Sequence, residues 1–164
     1  MDLETLSKVN IILVSSGVKS ILDVEKTFEY FETKGIAVVG YKTNEFPTFY
    51  SRKSGLKIEP ADEALISKIF KTKNELNIDG AILVANPIPE EYEVPYEKME
   101  GWIAQALNEM HEKGIKGKEV TPFLLARIFE LSGGESLEAN IALVRNNARV
   151  AALIAKELAK SGLD

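Results

Sequence analysis

Lys19 is the residue whose type and position best suit chemistry. It stands in Ser15-Ser16-Gly17-Val18-Lys19, between an apolar run, Ile11-Ile12-Leu13-Val14, and the segment Ser20-Ile21-Leu22-Asp23. The apolar run reads as a buried strand. The second segment has the spacing of a capping box, with Ser20 as cap and Asp23 three residues on. Lys19 is therefore predicted just outside a helix N-terminus, beyond the C-terminal end of a strand. In α/β proteins that rim is where ligands bind. The positive end of a helix dipole disfavours a second positive charge and so favours the neutral amine. A neutral amine can attack a sugar carbonyl or a carbonyl-like carbon. The competing reading is a lysine that is simply solvated.

Other polar residues are expected on the same rim. Lys42-Thr43-Asn44-Glu45 follows a second strand, and Arg52 and Lys53 lie shortly beyond it. Arginine and lysine there can hold a phosphate, or the segment is a solvated charged loop. Asn86 follows a third strand and precedes Pro87, so it either bonds a ligand or starts a turn. Asn140 and Asn147 are seven residues apart in one long helical segment and share a face with Val144 and Ala151, which are expected to be buried. A buried asparagine must find partners or cost about 1–3 kcal/mol; a neighbouring backbone group or a ligand would serve. His111, the only histidine, sits among Glu109, Glu112 and Lys113 and is expected at an exposed helix end. A Ser-His-Asp triad and a multi-histidine metal site are thus unsupported. There is no cysteine, which excludes disulfides, thiolate catalysis and cysteine-bound zinc. Neither GxGxxG nor a P-loop is present, and Met99 and Trp102 have core-like helical spacing.

The elements that must position these residues fit one domain of 164 residues. Strands are expected at 9–15, Ile36–Tyr41 and 81–85. Helices are expected at 20–34, at 61–77 through Leu65, Ile69, Phe70 and Leu76, near 96–113, from a Thr121 cap with Pro122 to about Leu131, and at about 137–161 with Ser136 as cap. Phe46-Pro47-Thr48-Phe49-Tyr50 reads as an edge strand or an extended loop, and residues 51–60 as a polar loop. Strand, helix and strand at the start make a βαβ unit, so the first two strands should be parallel. The order predicts a layered α/β/α domain with a small, mostly parallel sheet. That sheet is small for so many helices, which points to strands supplied from elsewhere. The net charge of −5 argues against binding to nucleic acid or to an acidic membrane. No apolar stretch reaches the roughly 20 residues of a membrane span. The acidic start, Met1-Asp2-Leu3-Glu4, is unlike a signal peptide, and a cytoplasmic protein is expected.

Taken together, these segments resemble a known family. Ser16-Gly17-Val18-Lys19-Ser20-Ile21-Leu22-Asp23 resembles the lysine motif of the pseudouridine-5'-phosphate glycosidases, also called the indigoidine synthase A family. Gly40-Tyr41-Lys42-Thr43, Phe46-Pro47 and Phe49-Tyr50-Ser51-Arg52 resemble the next family segment. Val84–Pro89, Gly117–Leu125 and Ser136-Leu137-Glu138-Ala139-Asn140 resemble three more, in the family's order. The resemblance implies reversible cleavage of the C–C glycosidic bond of pseudouridine 5'-phosphate, giving uracil and ribose 5-phosphate. It implies Lys19 as the covalent nucleophile, adding to C1' of a ring-opened sugar, with Asn140 and Asp2 as substrate contacts. Arg52 and Asn86 join the substrate-binding candidates from their position on the rim. The family's metal is manganese and its assembly a homotrimer. The resemblance covers only the C-terminal half of the family polypeptide, and it places the metal-binding aspartate and the glutamate general acid upstream of Met1. No metal ligand is therefore expected in this chain, and a split gene, a fragment or a miscalled start is expected, with little activity from this polypeptide alone. The alternatives are a non-catalytic binding or oligomerisation module derived from the family, and an enzyme of related fold acting on another sugar phosphate or in indigoidine-type pigment metabolism.

Overall fold

Ile82-Leu83-Val84-Ala85 contains no polar side chain, and all four residues are buried. A strand apolar on both faces belongs inside a covered parallel sheet. The computed structural model, which describes residues 3–18 and 24–160, places it there. The strands are β1 (Ile12–Ser15), β2 (Ala37–Tyr41), β3 (Glu59–Ala61) and β4 (Ile82–Ala85). Their order is β1-β4-β2-β3, and every neighbouring pair is parallel. The first two strands of the βαβ unit are parallel as expected, with β4 inserted between them.

The helices are α1 (Leu3–Leu6), α2 (Val24–Thr33), α3 (Glu63–Glu75), α4 (Tyr96–Glu112), α5 (Val120–Leu131) and α6 (Glu135–Lys160). Alternation along the strands divides them into layers. Ile12, Val14, Ile82 and Val84 pack with Ile66 and Phe70 of α3 and with Val150 and Ile154 of α6. Leu13, Leu83 and Ala85 point the other way, to Leu6, Phe28 and Phe31 of α1 and α2. This is the layered α/β/α arrangement read from the sequence. A third cluster, beyond the sheet, gathers Met99, Ile103 and Ala106 of α4, Leu124 and Ile128 of α5, and Ala139 and Leu143 of α6 around Tyr50, Ile88 and Val94. With 26 residues, about 39 Å, α6 is long enough to serve both the sheet and this cluster. Among the described residues no helix is long and apolar enough to cross a membrane.

Several local expectations are corrected. The first strand begins at Ile12, not at residue 9. Of the two readings of residues 46–50, the loop holds and the strand does not: Phe49 takes a positive φ of 68°, and the segment pairs only through an isolated bridge from Gly17 to Thr48. The edge strand is instead β3, two residues of which lie in the segment read as a loop and the third, Ala61, in the one read as a helix. Its Pro60 lacks a donor, which an edge tolerates. In α3, Asp62 caps the helix by accepting from the Leu65 N–H at 2.9 Å. That register turns Ile66 inward and leaves Leu65 and Leu76 exposed. Thr121 is not a cap, since α5 begins at Val120 after a single 3-10 turn, Gly117–Glu119. Ser136 is buried within α6, and its N–H is accepted by the Ser132 hydroxyl, one turn earlier.

The face of α6 is corrected too. Its buried stripe is Ala139, Leu143, Val150 and Ile154, while Val144 is 57% exposed and Ala151 faces solvent. Asn140 and Asn147 flank the stripe. Neighbouring residues test this register. Leu143→Ala should cost about 2–5 kcal/mol in denaturant unfolding, and Val144→Ala should stay within about 0.5 kcal/mol. Equal losses would contradict it.

Candidate functional site

An all-parallel sheet brings the C-terminal ends of its strands to one edge. Past β1 the chain runs through Ser16, Gly17 and Val18. Past β4 it runs through Asn86, Pro87 and Ile88. Past β2 it enters the loop at Lys42. The described residues stop at Val18 and resume at Val24, so Lys19 and the Ser20–Asp23 capping box lie outside them, as does Asp2.

Asn147 of α6 holds the first two ends together. Its Oδ1 accepts from the Ser16 hydroxyl at 3.2 Å and from the Asn86 side-chain amide at 2.9 Å. Both donors are buried, Ser16 at 2% and Asn86 at 3% exposure. The Asn86 backbone N–H extends the sheet ladder by donating to the Ser15 carbonyl at 2.8 Å. The neighbouring Asn146 donates its amide to the Pro87 carbonyl at 3.3 Å and accepts from Arg149. Two adjacent helix asparagines thus fix the turn after β4, and one of them also fixes the turn after β1.

The turn after β1 is closed from its other side by residues 46–50. The Phe49 N–H donates to the Ser16 carbonyl at 2.8 Å. Gly17 has a φ of +87°, and a Cβ there would stand 1.8 Å from the Pro47 carbonyl oxygen. Only glycine allows this approach of two backbones. The Gly17 N–H is accepted by the Ser15 hydroxyl at 3.2 Å, which tightens the turn further. Ser16, Gly17 and Asn147 therefore fix the turn by which the chain leaves β1.

The remaining candidates have mixed placements. Arg52 is half-buried, and its guanidinium donates to the Ile88 carbonyl while its backbone N–H binds Glu93. It ties the loop after residue 50 to the segment after β4, and its other guanidinium N–H groups bond no described residue. The Asn86 amide is committed to Asn147, which leaves its Oδ1 as the group open to a ligand. Asn140 is half-buried and bonds no described residue. It lies two turns before Asn147, about 10.5 Å along α6, on the part of the helix that extends past the strand ends. Lys42 is engaged elsewhere, 3.1 Å from Glu63 and 4.8 Å from the Tyr41 ring centroid. The Tyr41 hydroxyl first, then the Glu63 backbone N–H and Lys42, hold the Glu63 carboxyl down at about 2. His111 is exposed near the end of α4, as its neighbours implied. Among the described residues no three His, Cys, Asp or Glu side chains come together in a way that could hold a metal.

The sequence reading placed Asn147 beside Asn140 but gave a site role only to Asn140. The link it missed joins residues 131 positions apart. The signal that could have found it is the adjacent pair Asn146-Asn147 between apolar Leu143 and Val150 of the long helix, together with the Ser15-Ser16 pair at a strand end.

Comparison with known proteins gives a consistent picture. Residues 1–157 match the family described as indigoidine synthase A like protein. The pseudouridine-5'-phosphate glycosidase of Thermosipho africanus is 52% identical over 162 residues, which cover 97% of this chain and 55% of that protein. The glycosidase of Staphylococcus aureus is 50% identical over 156 residues, covering 94% of this chain and 51% of that protein. The chain thus spans about half the length of the curated relatives it matches. Among solved structures, a prealnumycin C-glycosynthase in complex with ribulose 5-phosphate superposes with a TM-score of 0.90 at 32% identity, covering 98% of this chain and 53% of the other. An indigoidine synthase A-like protein of Thermotoga maritima superposes with a TM-score of 0.84 at 44% identity, covering 94% of this chain and 51% of the other.

The two asparagines should behave differently on truncation. Asn147→Ala strands two buried donors and should cost about 2–4 kcal/mol. Asn140→Ala removes no bond to a described residue and should stay within about 1 kcal/mol. Urea unfolding of both variants checks this, and an Asn147→Ala loss under about 1 kcal/mol would contradict it.

Proposed function

The chain belongs to the indigoidine synthase A-like family, and from that premise we propose that it supplies the nucleophile-bearing part of a pseudouridine-5'-phosphate glycosidase. The substrate would be pseudouridine 5'-phosphate, and the products uracil and ribose 5-phosphate. The observation that carries the reading is the held turn after β1, where Asn147, Ser16 and the Gly17–Pro47 contact fix the chain shortly before Lys19 in sequence. Curated glycosidases about 50% identical over nearly the whole chain support the substrate class.

In this reading the neutral Lys19 amine takes the place of O4' at C1': the C1'–O4' bond breaks with its electron pair on O4', which takes a proton as the ring opens, and the amine loses a proton as the N–C1' bond forms. The C1'–base bond then breaks, its electron pair staying on the base carbon, which takes a proton. Water hydrolyses the resulting iminium, releasing ribose 5-phosphate and restoring the amine. Asn140, the free Asn86 Oδ1 and the free Arg52 donors would contact sugar hydroxyl and phosphate oxygens, and Asp2 would line the same site. The described residues gather no group of three His, Cys, Asp or Glu side chains that could hold a manganese ion. In this proposal the ion and the proton donor come from the part of the family polypeptide that this chain does not span. A cytoplasmic homotrimer completes the proposal.

A second reading has its own support. The C-glycosynthase that superposes on nearly the whole chain is in complex with ribulose 5-phosphate, so a different sugar phosphate joined to a different carbon acceptor is the competing substrate pair.

Trapping separates these readings. The chain, co-expressed with the unspanned part of the Thermosipho africanus relative, is incubated with ribose 5-phosphate and reduced with borohydride. The expected result is a mass adduct at Lys19 and cleavage of pseudouridine 5'-phosphate at least ~10²-fold faster than by the chain alone, the range that positioned acid–base catalysis contributes. Lys19→Met should abolish both. An assembled complex that gives neither adduct nor cleavage would overturn the reading. An adduct with ribulose 5-phosphate alone would favour the second.

A further inference from the structure

The two edges of the sheet are built differently. β3 is three residues long, carries exposed Glu59 and contains Pro60. Short length, charge and proline are the means by which proteins close a sheet edge to further pairing. β1, at the opposite edge, is one residue longer and carries neither charge nor proline. Ile12, Leu13 and Val14 are apolar, only Ser15 is polar, and all four residues are uncharged and half-exposed. Its backbone is also only half used. Ile82 donates to the Ile11 carbonyl and Asn86 to the Ser15 carbonyl, so residues 11, 13 and 15 face β4. In a parallel ladder the N–H and C=O groups of Ile12 and Val14 then point outward. They bond no described residue. Beside this edge opens a cavity of about 410 Å³, lined by Leu3, Leu13, Val18, Phe31, Phe46 and Phe49 among others.

We propose that the free edge of β1 receives one β-strand from the portion of the family polypeptide that this chain does not span, whether joined to it or separate. The occupant follows from size and shape together. The C-glycosynthase keeps this chain's fold over 98% of its length, and that fold accounts for 53% of the longer chain. Nearly as much polypeptide again accompanies the same fold there. An apolar open edge is the surface on which it would continue the sheet, with apolar side chains filling the neighbouring cavity. The inference rests on family membership and not on the proposed reaction.

Hydrogen exchange reads the edge directly. In the chain alone at low concentration, the Ile12 and Val14 amides should exchange at least about tenfold faster than those of Leu13 and Ser15. Co-expression with the unspanned part of the Thermosipho africanus relative should give a complex in which Ile12 and Val14 become protected at least about tenfold. Val14→Pro removes an outward donor and leaves the β4 ladder intact, so it should abolish co-purification. Val14→Ala keeps the donor and should co-purify. Circular dichroism of each variant alone confirms that it folds, and if the proline variant does not, exchange in the parent complex decides. Equal protection of all four amides in the chain alone would overturn the proposal. So would protection that grows with this chain's own concentration, absence of a complex, or equal capture of the two Val14 variants. A complex with a protected edge that fails to cleave pseudouridine 5'-phosphate would leave the strand assignment standing and remove the proposed reaction.

Discussion

One acceptor atom, Oδ1 of Asn147, sets the geometry of the C-terminal ends of β1 and β4. It takes hydrogen bonds from Ser16 past the first strand and Asn86 past the fourth. Both partners are buried, so either one left unpaired would cost about 1–3 kcal/mol. That penalty holds the turn leading to Lys19 against the turn at Asn86-Pro87. Gly17 completes the constraint from the opposite side by letting the backbone touch that of Pro47. The exit from β1 is thus gripped by a helix on one side and a loop on the other.

The helix that supplies Asn147 also joins the two halves of the core. Val150 and Ile154 pack on the sheet, while Ala139 and Leu143 pack among α4 and α5. Asn147 lies between these stretches, at the height of the strand ends. A polar residue at a junction of two cores has access to strand-end polar groups that neither apolar stretch can satisfy. Asn140 lies further along, past the sheet, where ligand atoms rather than strand ends would be its partners.

Much of the fold was legible because apolar runs announce themselves. Ile82–Ala85 had to be a buried strand, and the helix at 96–113 was found within a residue. The face of α6 was not legible. Asn140, Val144, Asn147 and Ala151 share a helical spacing, and nothing local distinguishes that face from one rotated by a single residue. Leu143, Val150 and Ile154 win because they are larger and reach the sheet. The edge strand at Glu59–Ala61 was hidden by its glutamate and proline, the residues that suit an edge. In the site, the strand-end positions of Ser16 and Asn86 followed from the α/β pattern. The bond that unites them did not, because it depends on a contact between residues far apart in the chain.

The central proposal is that Lys19, which follows this turn in the chain, acts as the amine nucleophile. Competitive acylation of the chain co-expressed with its complementary family portion tests it most directly, since only neutral amines react. The account predicts that Lys19 labels at least about tenfold faster at neutral pH than the exposed Lys53, and that Asn147→Ala brings the two rates together. Equal labelling of Lys19 and Lys53 in the parent complex would contradict it.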